Sequence, residues 1–208
     1  MSILLTGFVP FLPAIDTYII GNSSQKIVDC FNNGPSAPLP TAVSNDLTLM
    51  RANVVSRTLP VKAGHSGAAD ASAGALATLL SAENFSAILC LGHFLPIIGE
   101  GLPFTGAHCR LELVAYRPKG MVQGDLEKPS WFADAISADA PQHGIVPSHT
   151  SEFRARGPCN DTYWTALEWG GTQKPVAFLH LPPFFTAGGE AEVLQQVLFI
   201  LRRAYERR

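Results

Sequence analysis

The sequence predicts an α/β fold: a single domain with a largely parallel central sheet and helices on both faces. Two observations carry this. Strand-like and helix-like segments alternate along the chain, which is the pattern of βαβ connections. Residues 87–91 (Ala-Ile-Leu-Cys-Leu) form a continuous apolar run bounded by Gly92, as expected of a strand buried on both faces.

The elements follow in order. Residues 3–6 are a short apolar strand ended by Gly7. Asn22-Ser23-Ser24 supplies N-cap chemistry for a helix through about residue 31, because a short polar side chain can accept from the unpaired N–H groups of the first turn. Residues 32–46 are rich in Asn, Pro and Ser and read as a loop. Residues 53–59 read as a strand ended by Pro60, and residues 65–80 as an Ala-rich helix with Leu76, Leu79 and Leu80 at helical spacing. Residues 111–116 are a further strand, and residues 129–138 a short helix. Residues 159–167 read as a helix and residues 176–181 as a strand. The last helix covers residues 189–206, with Val193, Val197, Ile200, Leu201 and Ala204 as its apolar stripe. Its arginines at 202, 203, 207 and 208 are a solvated helix end that complements the dipole. No internal repeat or interdomain linker interrupts residues 1–208, so one domain is expected.

Composition narrows the class. At 47% hydrophobic and 15% charged, 208 residues can bury a sizeable core. A net charge of −2 gives no footprint for nucleic acid or an anionic membrane surface. The start, Met1-Ser-Ile-Leu-Leu-Thr, lacks a basic n-region and reads as a core strand rather than a signal peptide. No run reaches the ~18 apolar residues of a membrane span. A cytoplasmic protein with reduced thiols is expected. The four cysteines, at 30, 90, 109 and 159, have no Cys-x-x-Cys spacing, and the six histidines suggest no metal set.

The chemistry concentrates near the C-terminus. Cys159 opens a helix, and His180 closes the strand that follows it. A helix N-terminus favours a thiolate, which is the nucleophilic form of cysteine. A histidine within hydrogen-bond reach can take its proton and return it to a leaving group. The structural alternatives are a packed cysteine and a satisfied core histidine. Glu112 sits in an apolar strand, where an unpaired carboxylate is costly, so it calls for a partner. Arg110 or Arg117 could also be that partner.

Six segments, in order, resemble pyroglutamyl-peptidase I, the pyrrolidone-carboxylate peptidases. They are Leu5-Thr6-Gly7-Phe8-Val9-Pro10-Phe11, Asn22-Ser23-Ser24, Leu59-Pro60-Val61, Glu112-Leu113-Val114-Ala115, Cys159-Asn160 with Tyr163 or Trp164, and Phe178-Leu179-His180-Leu181-Pro182. The family consists of cytoplasmic cysteine peptidases that remove an N-terminal 5-oxoproline. The resemblance implies Cys159 as nucleophile, His180 as general base and acid, and Glu112 as the third member. It implies Phe8 and Phe11 as walls of a slot for the lactam ring, no cofactor, a small peptide or blocked-amide substrate, and a homo-oligomer, dimer or tetramer. Asn22 is a substrate-side residue or only a helix cap. The chain departs from the pattern in the longer stretch from Gly92 to Glu112, in the shorter one from Tyr116 to Cys159, which lacks the family's A-R-I-P-D-N run, and at two places near the site. The family's I-G-Q-A-G-G-R, whose glutamine binds the lactam, is Leu91-Gly92-His93-Phe94-Leu95-Pro96 here, which makes His93 a substrate-binding candidate. The aromatic and aliphatic residues before the nucleophile are Gly157 and Pro158. These changes leave two alternatives: a thiol hydrolase of a different small blocked amide, and a non-catalytic ligand-binding member of the fold. The apolar run at Phe94, Leu95, Ile97, Ile98, Leu102 and Phe104 reads as an interface or pocket lid.

Overall fold

The structure is a computed structural model that describes residues 2–8, 22–61, 68–93, 108–118, 121, 125–149, 157–182 and 187–208. Phe11 and the apolar run at 94–104 lie outside them.

Six strands form the main sheet: β1 (Ser2–Phe8), β2 (Val54–Leu59), β3 (Phe85–His93), β4 (Cys109–Glu112), β7 (Ile145–Ser148) and β8 (Val176–Leu181), in the order β2-β1-β3-β8-β4-β7. The pairings β1–β2, β1–β3, β3–β8 and β4–β7 are parallel, and β4–β8 is antiparallel. Two shorter strands, β5 (Val114–Tyr116) and β6 (Glu127–Pro129), pair antiparallel outside that sheet. Central β3 is buried from Phe85 to Gly92, as its apolar run requires.

Alternation of side chains along the strands builds two cores. Ile3, Leu5, Leu89, Leu91, Leu179 and Leu181 face one side. There they meet α1 (Ser23–Asn33), α2 (Thr41–Arg51), α4 (Trp131–Ser137) and α6 (Ala187–Glu206). Leu4, Phe8, Ile88, Cys90, Val176 and Phe178 face the other side, under α3 (Ala68–Ala82) and α5 (Pro158–Gly170). Gly7 permits the close approach of α1, since a Cβ there would stand 2.6 Å from the Ser24 carbonyl oxygen.

Two elements differ from the sequence expectation. The expected loop over 32–46 ends early, because α2 begins at Thr41. Its Val43, Leu47 and Met50 recur at helical spacing and are buried, so packing supplies what the helix lacks in side-chain capping. The expected single strand over 111–116 is two. At Leu113 the chain leaves the sheet: its N–H bonds Ser148 O at 3.0 Å and its carbonyl accepts from Ser130 N at 2.9 Å. β6, β7 and a 3-10 turn at Ala140–His143 join the expected elements.

Candidate active site

Three elements converge on the α5 side of β8. Along β8, Phe178 and His180 alternate toward that side. Strand β4 runs antiparallel beside it, with Glu112 opposite Phe178 and Arg110 opposite His180. Residues directly opposite share a face, so the Glu112 carboxylate lies on the His180 side. His180 Nδ1 donates to Glu112 Oε1 at 2.8 Å. The other flank of the imidazole meets the Cys159 thiol, which lies in hydrogen-bond reach.

Helix α5 sets the thiol. Gly157 is its N-cap and Pro158 its first residue, a position where the missing N–H costs the helix nothing. Cys159 follows within the first turn. No side-chain cap closes this terminus. The Cys159 and Asn160 N–H groups therefore belong to the set that the helix itself leaves unpaired. Cys159 is half-buried, whereas Cys30, Cys90 and Cys109 are buried.

Asn160 and Tyr163 hold the carboxylate's strand against this helix. The Asn160 amide bonds both backbone groups of Tyr116, accepting from N and donating to O, each at 2.8 Å. Tyr163 donates its hydroxyl to the Glu112 carbonyl at 2.9 Å. The chain is thus pinned on both sides of Val114. With Phe178, these residues line a pocket around Cys159 and His180.

Electrostatics couple the three groups. Burial works against the imidazolium. Hydrogen bonds and charge from Cys159 and Glu112 outweigh it and raise the His180 pKa to about 10. The ring therefore keeps its proton at neutral pH.

The remaining sequence candidates sit elsewhere. Phe8 is 2% exposed and packs in the core among Leu4, Leu59 and Phe85. Asn22 caps α1, its Oδ1 accepting from Ser24 N at 2.9 Å and Ser24 Oγ at 2.7 Å. His93 stands one residue beyond Gly92, the register partner of His180, so its side chain turns to the opposite face. It meets Ser23 Oγ at 3.2 Å through Nδ1. Ser23 donates its single hydroxyl hydrogen to Pro182 O at 2.8 Å, so Nδ1 carries the hydrogen in the His93 bond. His93 Nε2 is then an acceptor, buried and unpartnered among the described residues. Burial, with the charges of His180 and Lys26, lowers the His93 pKa to about 4 and keeps the ring neutral. Sequence reasoning gave Tyr163 and Phe178 no role in the site and read Asn160 only as the neighbour of Cys159. Their apolar context marks Tyr163 and Phe178 as core, and no local pattern shows what their edges touch.

Among the described residues, no group of three or more His, Cys, Asp or Glu is placed to hold a metal ion, and no helix is long and apolar enough to cross a membrane. No family model matches the sequence, and no curated protein matches it. Solved structures do match. Pyroglutamyl peptidase I from Bacillus amyloliquefaciens superposes with a TM-score of 0.66 at 15% identity, over 99% of this chain and 97% of that one. Pyrrolidone carboxyl peptidase from Thermococcus litoralis gives 0.64 at 14% identity, over 99% and 93%. The enzyme from Fervidobacterium islandicum gives 0.60 at 19% identity, over 97% and 98%.

Proposed function

We propose that this chain, which has the fold of the pyroglutamyl peptidases along nearly its whole length, is a cysteine peptidase that removes an N-terminal pyroglutamyl residue from peptides by acyl transfer. The observation that carries this reading is the continuous line from Glu112 Oε1 through His180 to Cys159 at the start of α5.

The proposed resting pair is an imidazolium beside a thiolate. The Cys159 sulfur attacks the acyl carbon, and the carbonyl π electrons move onto oxygen. The Cys159 and Asn160 N–H groups at the open helix terminus face the developing oxyanion, where a single such donor is typically worth ~2.7–4 kcal/mol. As the carbon–nitrogen bond breaks, the His180 proton goes to the departing amine. Neutral His180 then takes a proton from water, whose oxygen attacks the thioester, and the Cys159 thiolate leaves, which restores the resting pair. Glu112 holds the imidazole in one tautomer and stabilises its charged form.

A second reading is hydrolysis of a different small blocked amide by the same thiol. His93 favours it. The family places its lactam-binding glutamine at that position, and here the ring turns to Ser23 and offers only an acceptor. A lactam presents both a donor and an acceptor, and sites that pair with both reject ligands lacking either.

The test is hydrolysis of a pyroglutamyl-coumarin amide by the wild-type protein and by Cys159→Ala. Cleavage that disappears in the variant supports the peptidase. No wild-type cleavage, with rapid alkylation of Cys159 by iodoacetamide, moves the assignment to the second reading. Neither cleavage nor alkylation contradicts both.

A further inference from the structure

Gly92 has no backbone reason to be glycine. It lies in regular strand β3, and the positive-φ glycines among the described residues are Gly34, Gly144 and Gly171. A strand-interior glycine weakens a sheet, so its presence calls for a reason of space. A Cβ at position 92 would stand 2.7 Å from His180 Cδ2, 2.8 Å from Phe178 Cε1 and 2.9 Å from Phe178 Cζ.

Contacts hold both rings in place. The His180 imidazole is tied to Glu112 at 2.8 Å on one edge and to Cys159 on the other. It lies against the Phe178 ring, with centroids 4.9 Å apart. Phe178 is 1% exposed and backed by Tyr163, at 5.5 Å between centroids. A methyl group on Gly92 must displace one ring or both.

We infer that Gly92 is a positioning residue: its missing side chain is the space that lets the His180 imidazole bridge Glu112 and Cys159. The inference rests on the proposed thiol chemistry for its effect on rate, but its effect on His180 is readable without any substrate. The ionisable groups around the ring are Glu112 from β4, Cys159 from α5 and His93 from β3, with Arg110 opposite it in register on β4.

The test uses the full chain carrying Gly92→Ala, and a second variant, Gly92→Ala with Phe178→Leu. The second relieves the contact with Phe178 and keeps the contact with His180. Three quantities are read: thermal melting, the NMR titration of His180, and the rate of Cys159 alkylation by iodoacetamide. The expected result is a folded protein in which His180 titrates well below its position in the wild-type protein. Alkylation falls by about tenfold, as Cys159 loses its imidazole partner. The double variant regains melting temperature without regaining either reading. Wild-type titration and alkylation in a folded Gly92→Ala overturn the inference. Full recovery in the double variant also overturns it, because Gly92 then serves only Phe178 packing. Failure of both variants to fold counts against it too, since the assigned role is local. If the wild-type protein shows no peptidase activity, the proposed function fails, while the His180 titration still decides the role of Gly92.

Discussion

Two cysteines of this chain meet a glutamate, on opposite sides of the same sheet, and the outcomes are opposed. On the α1 side, Cys30 donates directly to Glu190 Oε1 at 3.3 Å, and the same carboxylate accepts from Ser36 N and Ser36 Oγ. Burial first, then the hydrogen bond and charge of Glu190, push the Cys30 thiol up to about 12. On the α5 side, Cys159 meets Glu112 only through His180. There the carboxylate acts on the imidazole and favours its cation, which in turn suits a thiolate. A carboxylate placed on a thiol holds the proton in place, whereas one placed behind a histidine helps to move it. The chemistry therefore follows from the order of groups, beyond the mere presence of Cys and Glu.

The largest effects should come from removing the members unique to the α5 side. Cys159→Ala and His180→Ala should each reduce amide hydrolysis to background in a fluorogenic assay. The melting temperature should stay close to wild type in Cys159→Ala and fall in His180→Ala, which removes the imidazole partner of the buried Glu112 carboxylate. Next in size is Glu112→Gln, which leaves the imidazole without its anionic partner. Hydrolysis should fall by about 10²–10⁴-fold. The pH profile carries the sign. The His180 pKa is raised to about 10, so the imidazolium persists through neutral pH and is lost as pH rises through about 10. The stability that the pair adds to folding is complete below about 6.5, the ordinary imidazole value, and is lost over the same rise. An alkaline limb near 10 in the wild-type profile should move toward neutral in Glu112→Gln.

Two smaller effects sharpen the comparison. Asn160→Ala removes both bonds to Tyr116 and should destabilise the fold by about 1–3 kcal/mol in urea titration. Hydrolysis should fall by about tenfold as β5 loosens, against far larger losses for the residues that touch the reacting atoms. Glu190→Gln should cost a similar ~1–3 kcal/mol through Ser36 and Cys30. Its effect on Cys159 alkylation should be nil. A change there would mean that the two clusters are coupled through the sheet.

Much of this arrangement was legible in the sequence, for identifiable reasons. Strand β8 was expected at 176–181 and found at Val176–Leu181, because a run that is apolar except at His180 ends at Pro182. The α5 start was off by one residue, since Pro158 suits a first helical position. The first half of helix α2 was read as loop, because the Asn, Pro and Ser content of residues 32–46 masked the spacing of Val43, Leu47 and Met50. Strands β6 and β7 are short and partly polar, with Pro129 and Pro147 in them, and carry little local signal. The site was harder than the fold. That Glu112 meets His180 depends on β4 running antiparallel to β8 in one register, and no local pattern encodes that. His93 shows the converse. In the β3–β8 register it stands opposite Leu181, one place from His180, yet strand alternation turns it to α1.

If His180 activates Cys159, the alkylation rate of Cys159 must depend on it. Wild type and His180→Ala would be treated with iodoacetamide at neutral pH and the modified cysteine identified by mass spectrometry. The account predicts that wild-type Cys159 reacts at least about tenfold faster, as an imidazole-paired thiolate should. Equal rates in the two proteins would contradict it and leave Cys159 as an ordinary half-buried thiol.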